Sequence, residues 1–282
     1  MTGSVVIHVV FIVALSVSRG VPALPRLANI PYCNGMVLDI YPSAQPGPRP
    51  AVVYSHGGAW RSGNKEEGYA LQQLAATLTL RGITFVSLDY RLAPAHLFPA
   101  QIEDVKCAIR FLRAHAEQYQ VDSLRIGVIG NSAGGHLAAL AGLTDTQAGF
   151  DTGAYLAFAS SVQALVNLWG PSDLTQLDDP ALHAIFGPTE DDLRRASPIS
   201  YLSADDPPVL TVHGDLDPTV PVTQSLVFHE ALLAQGISSQ LLVVHNAGHA
   251  LVAVGGPLDP ALEMINATIV DFLVAHLAAT TP

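Results

Sequence analysis

The 282-residue sequence predicts an α/β fold, a mainly parallel central sheet with helices on both faces. Three observations carry that expectation. Apolar runs bounded by Gly and Pro alternate with segments of helical spacing along the whole chain. Most of the runs are short and continuous, as strands buried on both faces must be. The composition, 49% hydrophobic and 13% charged, is enough to bury a large core.

The elements follow in order. "MVLDIYP" (36–42) alternates like a strand and stops at Pro42, and "SAQPGPRP" (43–50) is a turn-rich connection. "AVVYSHGG" (51–58) reads as a buried strand ending in glycines. Leu71, Leu74, Ala75 and Leu78 fall at helical spacing and predict a helix over 66–81. "ITFVSLDY" (83–90) is the next strand, and Pro94 and Pro99 punctuate the loop after it. Ile102, Val105, Ile109 and Leu112 share one face of a helix over 102–119. A strand at 125–130 leads into a helix at 133–143. Further strands are expected at 162–169, 208–213 and 240–245, with helices at 222–235 and 259–277. No internal repeat or low-complexity block interrupts them, so residues 24–282 read as one catalytic-sized domain.

Ahead of that domain, "SVVIHVVFIVALSV" (4–17) has the length of a signal-peptide core, and small residues follow it. No Lys or Arg precedes the run, so an extra N-terminal strand is the alternative. Export, to periplasm or outside, goes with the first reading and a cytoplasmic location with the second. The run is too short for stable membrane insertion.

The formal net charge of −11, with only 13 scattered basic residues, excludes a nucleic-acid partner. Cys33 and Cys107 match no metal or redox spacing. Cys107 falls in a helix as a core residue would, and a disulfide with Cys33 is the alternative. No His-Glu-x-x-His or dinucleotide glycine pattern occurs, so neither a metal nor an organic cofactor is expected.

Ligand sites in parallel sheets lie at the carboxyl ends of the strands, and three strand ends here carry unusual residues. "GNSAGGH" (130–136) holds Gly130-x-Ser132-x-Gly134 between a strand and a helix. Such a turn lifts the serine hydroxyl clear of the sheet, beside the positive end of the helix. "SHGGAWRSG" (55–63) follows a buried strand. Its Gly58 and Ala59 amides, with that of Ala133, can hold the oxyanion of an acyl-transfer intermediate. After Ser132 come two strand-end acids, Asp215 and Asp217, and then His249 in the loop of "QLLVVHNAGHA" (240–250). That is the order of serine, acid and base in strand–helix folds of this kind. His245 competes as base but belongs to the strand, and His56 and His136 read as bracing and packing residues. Trp60, Asn131 and Trp169 adjoin these motifs and are candidate substrate-binding residues.

Together, "HGGAWRSG", "DYRLAPAHLFPAQIEDV", "GNSAGGHLA", "WGPSDL", "HGDLDPTVP" and "AGHA" resemble α/β-hydrolase esterases, in particular the hormone-sensitive-lipase-like and bifunctional acetyl/feruloyl esterase group. The likeness implies that Asp217 is the catalytic acid and Asp215 shapes the turn. Tyr90 and Arg91 would brace the oxyanion loop. It implies a Ser132–His249–Asp217 serine carboxylesterase acting on short-chain or aryl esters, acetyl or feruloyl groups on polysaccharide among them. "HGGAW" is also similar to the oxyanion motif of kynurenine formamidases, which makes a formamide substrate the alternative; a non-catalytic binding protein is the remaining one. Only 55 residues precede His56 and "HGGA" replaces the group's usual "HGGG", which implies little or no cap. Any partial cap would come from 171–207. The likeness carries no prediction of oligomeric state.

Overall fold

The computed structural model describes residues 25–69 and 71–278. The apolar run at 4–17, read as a signal peptide or an extra strand, lies outside them. The described elements run β1 (Leu27–Pro31), β2 (Val37–Tyr41), β3 (Arg49–Ser55), α1 (Leu71–Leu80), β4 (Thr84–Leu88), α2 (Ala100–Ala114), α3 (Ala116–Tyr119), β5 (Val121–Asn131) and α4 (Ala133–Leu143). There follow β6 (Ala164–Leu168), α5 (Pro180–Phe186), α6 (Glu190–Arg195), β7 (Val209–Gly214), α7 (Thr223–Ala234), β8 (Ser239–Val244) and α8 (Leu262–Leu277).

The strands form one eight-stranded sheet in the order β1-β2-β4-β3-β5-β6-β7-β8. Pairings of β2 with β1 and β4 are antiparallel, and the rest are parallel. Alternation along β3 shows how the two cores arise. Ala51 and Val53 join the cluster containing α2, α4 and α7, whereas Val52 and Tyr54 join the one containing α1 and α8. Helices therefore cover both faces, as the apolar runs require. On α2 the residues at helical spacing, Ile102, Val105, Ile109 and Leu112, are all buried.

The parallel register brings the carboxyl ends of β3, β5 and β6 level. Ser55 pairs with Gly130, Asn131 with Leu168, and farther along Gly214 with Val244. The residues that follow each of these ends form the site described below.

Some boundaries differ from those the sequence implies. The first helix begins at Leu71, not near 66, because Asn64 and Gly68 hold a turn there. The Asn64 side chain accepts from the Glu66 amide at 2.8 Å, and Gly68 has φ +142°, outside helical space. The helix over 102–119 breaks at His115 into α2 and α3. Segment 171–207 carries two short helices, α5 and α6, the latter with a Thr189–Asp192 capping box. Cys33 and Cys107 form a disulfide between the turn after β1 and α2, so Cys107 is not simply a free core residue. A link across 74 residues is worth about 4 kcal/mol in the chain-entropy limit. Among the described residues no helix is long and apolar enough to cross a membrane.

Candidate active site

β5 ends at Asn131 and α4 starts at Ala133, leaving Ser132 to make the whole turn with φ 54° and ψ −122°. That backbone costs a non-glycine residue about 1–3 kcal/mol and persists only where neighbours fix it. Here the Ser132 amide donates to Leu168 O at 2.8 Å, and its carbonyl accepts from the His136 amide at 3.0 Å. The flanking glycines have a steric reason. A Cβ on Gly134 would strike the Ser55 and His56 carbonyls, and one on Gly130 the Gly134 carbonyl.

His249 lies in the loop after β8 and reaches both neighbours at once. Its Nε2 is 3.0 Å from Ser132 Oγ, and its Nδ1–H donates to Asp217 Oδ2 at 2.8 Å. Asp217 is fixed from its other oxygen, where the Thr219 and Val220 amides donate to Oδ1 at 2.8 and 2.9 Å. Buried His213 adds a contact at 3.4 Å to Oδ2 while hydrogen-bonding Val220 O and Ser225 Oγ. Burial alone would raise the Asp217 carboxyl. The bonds from His213, His249, Val220 and Thr219 outweigh it and hold the group well below the ordinary carboxylate range.

Asp215 has a different job from the turn-forming one expected of it. The amides of Thr219 and Val220 are taken by Asp217, the residue that makes the Asx turn. Asp215 reaches across to the next loop instead, accepting from His245 Nδ1 at 2.9 Å and from the Ala247 amide at 3.4 Å. His245 lies just past the end of β8, bridged to Asp259, with its ring largely in solvent.

The segment after β3 turns over residues 56–63. Gly58 has φ +116°, and Ala59 and Trp60 follow at φ 52° and 58°. Among the described residues, the amides of Gly58, Ala59 and Ala133 donate to no protein acceptor. Tyr90 braces the segment as expected: its hydroxyl donates to His56 O at 2.8 Å and its ring stacks on His56 at 4.2 Å. Among the described residues Arg91 makes no hydrogen bond to it and instead binds Glu103, Asp104 and the Ala100 carbonyl of α2.

Two cavities meet at Ser132. One, about 520 Å³, is lined by His56, Glu67, Asn131, Trp169 and His249. The other, about 430 Å³, is lined by Trp60, Ala133, Leu177, Leu182 and Val220. Segment 171–182 thus walls the second cavity but does not roof the first. All three aromatic or amide residues expected near substrate border one cavity or the other, with limits. Trp60 and Trp169 are only 6% and 1% exposed, and the Asn131 side-chain Oδ1 accepts from Tyr54 OH. Trp60 Nε1–H is spent on His136 Nδ1 at 3.2 Å. No group of three or more His, Cys, Asp or Glu among the described residues could hold a metal ion.

Residues 38–232 match the family model described as BD-FAE. The chain belongs to the BD-FAE family. The match covers most of the sheet, and the group comprises α/β-hydrolase-fold serine esterases related to bacterial acetyl and feruloyl esterases. Esterase LipC of Mycobacterium tuberculosis is 35% identical over 224 residues, 74% of this chain and 55% of LipC. Esterase LipI of the same organism is 30% identical over 241 residues, 80% of this chain and 72% of LipI. The chain spans about half the length of several curated relatives it matches, LipC among them. A solved carbohydrate esterase from gut microbiota, in truncated form, superposes with TM-score 0.79 and 28% identity. That superposition covers 90% of this chain and 97% of the other.

In this BD-FAE member, the contacts that sequence alone does not reveal depend on how the loops fold, one across a long separation and one within a single turn. Trp60 and His136 meet across 76 positions, and His213 reaches Asp217 only because the turn at 215–220 folds back. A histidine four residues after Ser132, on the helix that follows it, is the available signal for the first.

Proposed function

We propose that the domain over 24–282 is a serine carboxylesterase in which Ser132, His249 and Asp217 form the catalytic triad. The observation that carries this reading is the unbroken chain from Ser132 Oγ to His249 Nε2 and from His249 Nδ1 to Asp217. Ser132 Oγ attacks the ester carbonyl carbon while His249 Nε2 takes its proton. The negative charge that develops on the carbonyl oxygen is met by the Gly58, Ala59 and Ala133 amides. Asp217 keeps the His249 proton on Nδ1 and stabilises the imidazolium. The imidazolium then protonates the leaving alcohol, and water, activated by the same histidine, cleaves the acyl-enzyme.

The proton path also assigns the two cavities. The leaving oxygen must lie within reach of His249, which borders the cavity holding Glu67 and Asn131. The alcohol therefore takes the His249 side, and the acyl group takes the side walled by Trp60, Leu177 and Leu182 together with Gln176 and Asp178. Both cavities mix apolar and polar walls. Trp60, Leu177 and Leu182 offer a short or aryl acyl group an apolar surface on one side, and Glu67 offers a sugar hydroxyl a polar partner on the other. This supports acetyl or feruloyl esters of polysaccharide as substrates, consistent with the carbohydrate esterase it resembles. The Cys33–Cys107 bond favours an oxidising compartment.

The test is a release assay on acetylated xylan, feruloyl esters, p-nitrophenyl esters of rising chain length and N-formylkynurenine. Ester hydrolysis that disappears in Ser132→Ala, with a fluorophosphonate labelling wild type only, is the expected result. Turnover of the formamide alone, or labelling that persists in the variant, would overturn it.

A further inference from the structure

We infer that His136 is a positioning residue for the oxyanion loop, acting through Trp60. The inference rests on the reading that the Gly58, Ala59 and Ala133 amides receive the oxyanion.

Ala59 and Trp60 are successive non-glycine residues in left-handed backbone, φ 52° and 58°. L-residues adopt that conformation in sequence only when surrounding contacts impose it. Trp60 supplies several of those contacts. Its carbonyl accepts from the Ala93 amide at 2.9 Å, and its ring stands edge-on to Phe186 at 4.9 Å and to His136 at 5.2 Å. Its one polar side-chain atom, Nε1–H, donates to His136 Nδ1 at 3.2 Å.

That bond fixes the state of the imidazole. An indole N–H can only donate, so Nδ1 must be the unprotonated nitrogen. The proton then sits on Nε2, which donates to the Ala196 carbonyl at 2.7 Å. Both nitrogens are used, the ring is fully buried, and only the neutral form fits. A charged ring would turn an N–H toward the indole N–H.

The location gives the arrangement its consequence. His136 stands four residues after Ser132 on α4, the helix whose first residue is Ala133. The Ala59 amide comes from the loop after β3. One hydrogen bond therefore ties the loop that carries two oxyanion donors to the helix that carries the third. Ala196, at the end of α6, holds the far nitrogen and joins segment 171–207 to the same frame. His136 itself borders neither cavity, so it acts on the reaction only through Trp60.

The experiment compares His136→Phe, Trp60→Phe and the double variant, with active sites counted by a fluorophosphonate. Each single change is expected to lower kcat per titrated site by about 10- to 100-fold, the cost of a small misplacement. KM should stay within about twofold in His136→Phe, because His136 borders neither cavity and ground-state contacts are intact there. Trp60→Phe also alters the acyl-side wall and is compared by kcat and ketone affinity. Affinity for an aryl trifluoromethyl ketone should fall in step with kcat/KM. The double variant should lose no more than the worse single one, as expected when both remove one bond. Should His136→Phe not fold, Trp60→Phe with the ketone measurement tests the bond from its other end. Full kcat per titrated site in the folded variants, or losses that multiply, would overturn the inference. Wild type that neither labels nor turns over ester would instead remove the reading it rests on.

Discussion

Two aspartates separated only by Leu216 each meet a histidine of the following loop, at 2.8 Å for Asp217–His249 and 2.9 Å for Asp215–His245. By residue type and distance the two pairs are alike. Their surroundings separate them. The side chain of Asp217 is wholly buried and that of His249 is 26% exposed, against 29% and 64% for Asp215 and His245. Asp217 is also anchored by two backbone amides through the oxygen that His249 does not use. An exposed pair of the second kind adds little to stability and is screened by salt. A buried carboxylate held by four donors keeps its charge and its aim through a reaction cycle. Under the proposed triad, fixation and burial, more than a short Asp–His distance, separate the pair that orients a catalytic base from the one that does not.

Removing one charge at a time puts the contrast under the greatest strain. Asp217→Asn keeps the shape but offers an amide N–H where His249 needs an acceptor. The imidazole would settle in the wrong tautomer, and kcat should fall by about 10⁴-fold per titrated site. If Asp215→Asn produced that loss and Asp217→Asn did not, the two roles would be exchanged.

Much of this arrangement is legible in the amino-acid sequence. Core strands such as "RIGVIG" and "VLTVHG" announce themselves because both faces are buried and glycine or proline ends the run. The order of Ser132, the acid and His249 is legible for the same reason, since each follows a recognisable strand. β1 is not, because "LANIP" is exposed at four of its five residues and carries no periodic signal. The partner of Asp215 also escapes sequence reading. Local chemistry offers two aspartates for one Asx turn, and only the folded geometry assigns it to Asp217. The Trp60–His136 bond depends on the register of β3 against β5, which neither segment encodes alone.

A change of pH separates buried from exposed histidines in a second way. Burial pushes His136 down to about 4, against the opposing effect of the Ala196 carbonyl. In the unfolded chain a histidine titrates near 6.5. Between those values the unfolded state binds the extra proton, so stability falls as pH drops from about 6.5 to about 4 and continues down until the folded ring also protonates. The contribution is on the order of 3 kcal/mol over that window. Urea midpoints followed from pH 7 to 4 should show the slope in wild type and a shallower one in His136→Phe. An equal slope in both would place the titration elsewhere.

The smallest expected effect belongs to the exposed pair, and it probes the same contrast from the other side. Asp215 ties the acid loop to the histidine loop through His245 and the Ala247 amide. A backbone bond from Leu216 N to Ala247 O at 2.9 Å makes the same connection without it. Asp215→Asn should therefore lower kcat by less than about tenfold, since a neutral side chain can still accept a bond through its carbonyl oxygen. Raising NaCl to about 1 M should reduce the difference between wild type and this variant, because solvent-exposed charges are screened at that strength. The same salt should leave the deficit of Asp217→Asn unchanged, its pair being shielded by protein. Equal salt sensitivity in the two variants would mean that burial does not distinguish the pairs, and the contrast drawn between them would fail.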